Sequence, residues 1–124
     1  HLEGWSGKRR EHARYYDQAL AEVPGVRTPV VRAENESIFN QYTIRAERRE
    51  GLAAHLKKKG IGTKVYYPLP LHLQPCFAYL GYKAGSFPES ERAAAEVISL
   101  PIFPELTPAQ LDETVSAIRS FYGR

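Results

Sequence analysis

Between residues 66 and 77 the chain reads Tyr-Tyr-Pro-Leu-Pro-Leu-His-Leu-Gln-Pro-Cys-Phe. Four side chains in this stretch have chemistry to offer. An imidazole such as that of His72 can donate or accept a hydrogen bond and can act near neutral pH. Tyr66 and Tyr67 bring phenolic hydroxyls, and Cys76 brings a thiol, reactive only as the thiolate. Pro68, Pro70 and Pro75 fix φ and remove amide donors, so the segment cannot pair as an interior strand. A rigid, non-repetitive loop at a strand end is where scaffolds commonly place binding groups. Neighbouring strand residues face opposite sides, so one of the two tyrosines is expected beside His72. Two readings of His72 stand on the residues alone. It orients a ligand, or it bonds a backbone carbonyl in a loop the prolines merely shape. Cys76, alone beside Phe77, reads as a small packing residue.

Other chemistries find little support. The sequence has no glycine-rich phosphate loop, no paired Cys/His metal spacing and no nucleophile elbow. Gly4-Trp5-Ser6-Gly7 has the letters of an RNA-binding GxxG loop, but such a loop belongs between two helices and this one opens the chain. His12 falls on an apolar helical stripe and His55 on a lysine-rich helix, so both read as structural. The net charge of +3 invites a nucleic-acid reading. Acidic residues, however, are interspersed with most of the basic clusters around Lys8–Arg14, Arg45–Arg49 and Lys57–Lys59, the usual pattern of a solvated helix face. Neither nucleic acid nor membrane is expected as a partner.

The elements that must position the loop follow from periodicity. Trp5, His12, Tyr16, Ala19, Leu20 and Val23 form a helical stripe over 5–23, stopped by Pro24-Gly25. Strands are expected over 26–32 and 38–45, joined by the polar turn 33–37 as an antiparallel hairpin. A second helix covers 48–59; its terminal lysines suit the negative end of the helix dipole, and Gly60 supplies a left-handed cap. A third strand over 62–67 leads into the proline-rich loop, and a short helix over 75–80 closes at Gly81. Ser86-Phe87-Pro88-Glu89 reads as a capping box opening a helix to about Leu100, and Thr107-Pro108-Ala109-Gln110 as a second box opening the last helix. The fold class is α+β: a small, mainly antiparallel sheet with helices packed on one face.

At 124 residues the chain is large enough for one domain with its own core. The single cysteine cannot form an internal disulfide, and no apolar run approaches membrane-spanning length, so a cytoplasmic protein is the expectation. The absence of methionine and the start at His1 point to a piece of a longer chain.

Several stretches taken in order carry a resemblance: Phe39-Asn40-Gln41-Tyr42-Thr43-Ile44-Arg45, Gly60-Ile61-Gly62-Thr63, and Tyr67-Pro68-Leu69-Pro70-Leu71-His72-Leu73-Gln74-Pro75. Gly81-Tyr82, Phe87-Pro88-Glu89-Ser90-Glu91 and Ser99-Leu100-Pro101-Ile102-Phe103-Pro104-Glu105-Leu106 continue it. Together they resemble the C-terminal part of the DegT/DnrJ/StrS family of sugar aminotransferases over nearly the whole chain. The resemblance implies the small C-terminal domain, residues 1–124, of a fold-type I enzyme that uses pyridoxal phosphate to aminate nucleotide-linked keto-sugars. In that family the Schiff-base lysine, the acidic partner of the pyridine nitrogen and most phosphate contacts lie in a larger upstream domain. Lys64 and Lys57–Lys59 do not match the Schiff-base context, so no cofactor is expected on this chain alone and it is expected to be inactive by itself.

The resemblance further implies that the proline-rich loop faces the sugar, which makes Tyr66, Tyr67 and His72 substrate-side contacts and assigns no catalytic residue here. Members often carry His-Tyr before the first proline, whereas this chain has Tyr66-Tyr67, which leaves the role of position 66 open. The implied partners are the keto-sugar nucleotide, an amino donor (usually glutamate), the chain's own large domain and a second copy in a homodimer. The competing readings are a stand-alone α+β module for a small ligand or RNA, and a structural interaction domain. For RNA the hairpin offers only Phe39 and Arg45.

Overall fold

The computed structural model describes residues 1–123. Its elements are α1 (Leu2–Leu20), β1 (Val26–Arg27), β2 (Tyr42–Ala46), α2 (Arg49–Lys58), α3 (Pro88–Glu96), β3 (Val97–Leu100) and α4 (Pro108–Phe121), with two 3-10 turns at Leu71–Leu73 and Pro75–Leu80. The three strands form an antiparallel sheet in the order β1-β2-β3. This is the expected α+β class, with differences inside the sheet.

The expected hairpin shrinks to a two-residue pairing, Val26 with Ala46 and Arg27 with Arg45. Pro29 cannot donate to a ladder, which ends β1 early. Phe39 adopts φ 47°, a left-handed conformation that no strand residue holds, so β2 begins only at Tyr42. Ile38, which lies outside the shortened strand, is exposed.

The helix expected to run to about Leu100 stops at Glu96, and Val97–Leu100 is a strand instead. Val97 and Ile98 are β-branched and stiff in a helix. As a strand they satisfy the free edge of β2, pairing Ile44 with Ile98 and Tyr42 with Leu100. Long-range pairing overrides the local helical signal of Ala93-Ala94-Ala95. Three arginines brace this junction. Arg27 and Arg45 share the Glu96 carboxylate at 3.5 and 3.2 Å, and buried Arg49 donates to the Val97 carbonyl at 3.0 Å. The expected strand over 62–67 survives as one bridge, Lys64 with Ser99, its two N–H···O bonds measuring 3.1 and 2.8 Å.

Alternation divides the sheet into two faces. Tyr42, Ile44, Ala46, Ile98 and Leu100 point into a core shared with α1, α2 and α4. Tyr16 of α1 packs on Tyr42 with ring centroids 5.1 Å apart. Both rings are fully buried, and both hydroxyls are satisfied: Tyr16 donates to the Pro101 carbonyl at 2.9 Å and Tyr42 to Asp17 at 2.5 Å. Each therefore contributes apolar burial without the cost of an orphaned hydroxyl. His12 pairs with the Pro104 carbonyl and His55 with the Ala117 carbonyl and Ser120, so both serve the packing of helices. The opposite face carries Thr43, Arg45, Val97 and Ser99, and beside it lies the proline-rich loop.

Both halves of the Thr107 capping box form, the Thr107 hydroxyl accepting from the Gln110 N–H while the Gln110 side chain accepts from the Thr107 N–H. The Ser86 box does not. The Ser86 hydroxyl accepts from the Lys83 N–H at 3.0 Å, Phe87 occupies the N-cap, and no side chain caps α3 there. Cys76, expected in packing, is exposed on the outer side of the second 3-10 turn, which buries no residue.

Candidate functional site

The proline-rich segment leaves the sheet at Lys64 and folds back through its own short-range bonds. Pro70 is extended at φ −59°, ψ 146°, and its carbonyl accepts from the Leu73 N–H at 3.0 Å, closing the 3-10 turn that holds His72. Gln74 is extended again, starts the second turn, and Gly81 ends that turn at φ +77°. The backbone is thus fixed by proline geometry and local turns rather than by a ladder.

Within this frame the His72 side chain is 7% exposed. Its Nε2 lies 2.9 Å from Glu91 Oε1, and its ring meets the edge of Phe87 at 4.9 Å and 70°. Tyr82 packs on Phe87 at 4.8 Å, so the ring stack joins the first 3-10 turn to the start of α3. The structural reading had this imidazole on a backbone carbonyl, whereas its partner is a carboxylate. Glu91 also accepts from the Gly85 N–H, at 2.8 and 3.0 Å through its two oxygens. The hydrogen bond from His72 first, aided by the backbone bonds of Gly85 and Phe87, holds the Glu91 carboxyl below its ordinary 4.5. No local pattern ties positions 19 apart, so sequence reasoning missed Glu91 and Phe87 as neighbours of His72.

Beside this cluster opens a hollow of about 490 Å³, lined by Tyr67, Leu71, His72, Phe87, Ser90 and Val97 among others. Its walls are aromatic and aliphatic, and its polar groups are the Tyr67 and Ser90 hydroxyls and the imidazole. No lysine, arginine or carboxylate lines it. Such a surface suits a neutral, hydroxyl-bearing ligand whose ring face packs on hydrocarbon while a few hydroxyls find hydrogen bonds.

The sequence-derived candidates divide here. Tyr67, 64% exposed, shares this hollow with His72. Tyr66, 49% exposed, instead lines a smaller hollow of about 190 Å³ with Asn40, Gln41, Lys64 and Ser99. The two tyrosines thus face different hollows although neither lies in a strand, and both are exposed.

The cofactor implied by the resemblance does not fit these residues. Pyridoxal phosphate needs a lysine directed into the site, a carboxylate for the pyridine nitrogen and donors for the phosphate. The six lysines, Lys8, Lys57, Lys58, Lys59, Lys64 and Lys83, are all exposed, and none lines the hollow with His72. Among the described residues no helix is long and apolar enough to cross a membrane, and no cluster of His, Cys, Asp and Glu has the makings of a metal site.

Comparison with known proteins adds four findings. A family model described as the DegT/DnrJ/EryC1/StrS aminotransferase family matches residues 1–119. The "Pleiotropic regulatory protein" of Geobacillus stearothermophilus is 52% identical over 124 residues, covering 98% of this chain. The "dTDP-3-amino-3,4,6-trideoxy-alpha-D-glucose transaminase" of Streptomyces venezuelae is 38% identical over 124 residues, covering 100% of it. Among solved structures, S. venezuelae DesV in complex with a ketimine intermediate superposes with a TM-score of 0.96 at 38% identity, covering 100% of this chain and 33% of that one. The chain spans about a third of the length of each relative, 33% in both cases.

Proposed function

The chain belongs to the DegT/DnrJ/EryC1/StrS aminotransferase family, and we propose that it forms the small, sugar-facing domain of a transaminase acting on a nucleotide-linked keto-sugar. The family is pyridoxal-phosphate dependent, and in this reading a larger upstream domain supplies the lysine and the cofactor chemistry. Glutamate is the proposed amino donor, a homodimer the proposed assembly, and the cytoplasm the proposed location. The name of the S. venezuelae transaminase, a dTDP-sugar enzyme, supports the substrate class. The most similar relative cited carries a regulatory name that states no reaction.

One observation carries the reading: Tyr67 and His72 converge on a hollow with apolar walls and no charged lining group. This chain's residues then have a positioning task. Phe87, Leu71 and Val97 offer hydrocarbon to a ring face, the Tyr67 hydroxyl and the His72 ring hold sugar hydroxyls, and the braced loop spares the ordering entropy at binding. Tyr66 faces a neighbouring hollow and has no part in holding the same group. The missing lysine and pyridine-facing carboxylate agree with a wall that orients substrate while the bond changes occur elsewhere.

The test uses the full-length enzyme that carries this domain. A transaminase works in two halves, one with the amino donor and one with the keto-sugar, and cofactor absorbance in stopped flow follows each alone. His72→Asn is expected to slow the sugar half by about three- to a hundredfold, the loss of one hydrogen bond at about 0.5–3 kcal/mol. The donor half stays nearly unchanged. Equal slowing of both halves, or of neither, contradicts a sugar contact.

A further inference from the structure

Glu91 lines no part of the hollow, yet its carboxylate accepts from the His72 ring and, through both oxygens, from the Gly85 N–H. An ionised carboxylate can only accept, and its lowered titration keeps it ionised at neutral pH, so the shared proton sits on Nε2 of His72. The other ring nitrogen, Nδ1, has no hydrogen-bond partner among the described residues. The edge contact with Phe87 opposes rotation of the ring, and Phe87 is itself held between His72 and Tyr82. The Gly85 bonds tie the same carboxylate to the loop that carries Phe87. One side chain therefore sets both the ring and the wall against which the ring rests.

Resting on the sugar-contact reading of His72, we propose that Glu91 is the positioning residue of this site. Its carboxylate fixes the tautomer and orientation of the imidazole, so that Nδ1 accepts a hydrogen bond from a sugar hydroxyl in the hollow. A carboxylate that orients a histidine is a recurrent arrangement wherever one ring nitrogen must be kept for a ligand. Ser90, the neighbour of Glu91 on α3, lines the hollow, so the helix places one residue toward the ligand and the next toward the ring.

Two measurements test this. In the full-length enzyme, Glu91→Ala and His72→Asn are compared alone and combined, with both half-reactions followed. Action through His72 predicts that Glu91→Ala slows the sugar half by about three- to a hundredfold while the donor half changes by less than about twofold. It also predicts that the double variant is no slower than His72→Asn alone. Slowing of both halves, or additive losses in the double variant, marks Glu91 as a packing residue and overturns the proposal. The second measurement is NMR of the 124-residue chain. A slowly exchanging His72 Nε2–H signal is expected in the unaltered chain, weakened or lost in Glu91→Ala and kept in Glu91→Gln, whose amide oxygen still accepts. An unchanged signal in Glu91→Ala overturns the positioning role whatever His72 does for the sugar. A signal that behaves as expected, beside a His72→Asn variant that leaves the sugar half untouched, overturns the sugar-contact reading instead and with it the functional part of this proposal.

Discussion

Tyr16 and Tyr42 have no exposed surface, and their burial acts on titration as well as on packing. Burial pushes the Tyr16 phenol up to about 12, and the Tyr42 phenol rises further still, first by burial and then by its bond to Asp17. An unfolded phenol gives up its proton near 10. The folded state binds these protons more tightly, so their contribution to stability is whole below pH 10 and falls above it, that of Tyr16 being lost as pH rises toward 12 and that of Tyr42 higher still. For Tyr16 alone the loss amounts to about 2–3 kcal/mol. Urea unfolding at increasing pH, read beside tyrosinate absorbance, should show stability falling above pH 10 with the buried phenols ionising only as the chain unfolds. A flat profile through pH 12 would show that the two hydroxyls reach solvent. In the sequence Tyr16 was legible as a stripe residue and Tyr42 as a strand residue. Their partners were not, because Pro101 lies 85 residues from Tyr16, Asp17 lies 25 from Tyr42, and no local spacing encodes either pairing. The same holds for His72 and Glu91: the loop announced its histidine through its prolines, but the carboxylate that holds the ring comes from another element.

At the scale of elements, the helices were legible and the strands only partly. Repeats at helical spacing placed α1, α2 and α4 to within a few residues, since a helix is written in its own neighbours. The sheet depends on partners far along the chain: β3 was read as helix, and the strand before the loop dwindled to a bridge at Lys64. Turns were legible where glycine marks a left-handed conformation, and two of them give a contrasting prediction. Gly25 lies at φ +81°, and an added Cβ would meet Tyr122 Cε1 at 2.9 Å and Glu47 Cβ at 3.3 Å. Gly60 lies at φ +75° with nothing within 4 Å. Gly60→Ala should cost only the left-handed strain, about 1–2 kcal/mol. Gly25→Ala should cost that plus the overlap, about 2–4 kcal/mol in all. Urea midpoints of the two variants check the order, and equal losses would mean that the Tyr122 ring moves aside freely.

On the scale of the whole molecule, half of the exposed large apolar side chains lie between residues 66 and 82, with Val30, Val31 and Ile38 exposed in a second stretch. Tyr66, Tyr67, Leu69, Leu71, Tyr79, Leu80 and Tyr82 are all exposed, while Tyr16 and Leu20 of the α1 stripe lie in the core. Of that helix's larger apolar side chains only Leu2 and Trp5 remain exposed. The molecule thus puts its core on one side of the sheet and a braced, aromatic-rich loop on the other, a layout that serves a wall facing something larger. The proposed function requires the sugar to meet this wall and not the helical side. Hydrogen exchange in the full-length enzyme tests it most directly, with the nucleotide-linked keto-sugar and the amino donor added separately. The sugar should slow exchange at Leu71–Leu73 and around Gly85–Phe87 while α1 and α4 stay unchanged, and the donor alone should leave the loop as it was. Protection confined to the helical side, or a loop that exchanges at the same rate with the sugar bound, would rule out a sugar-facing loop.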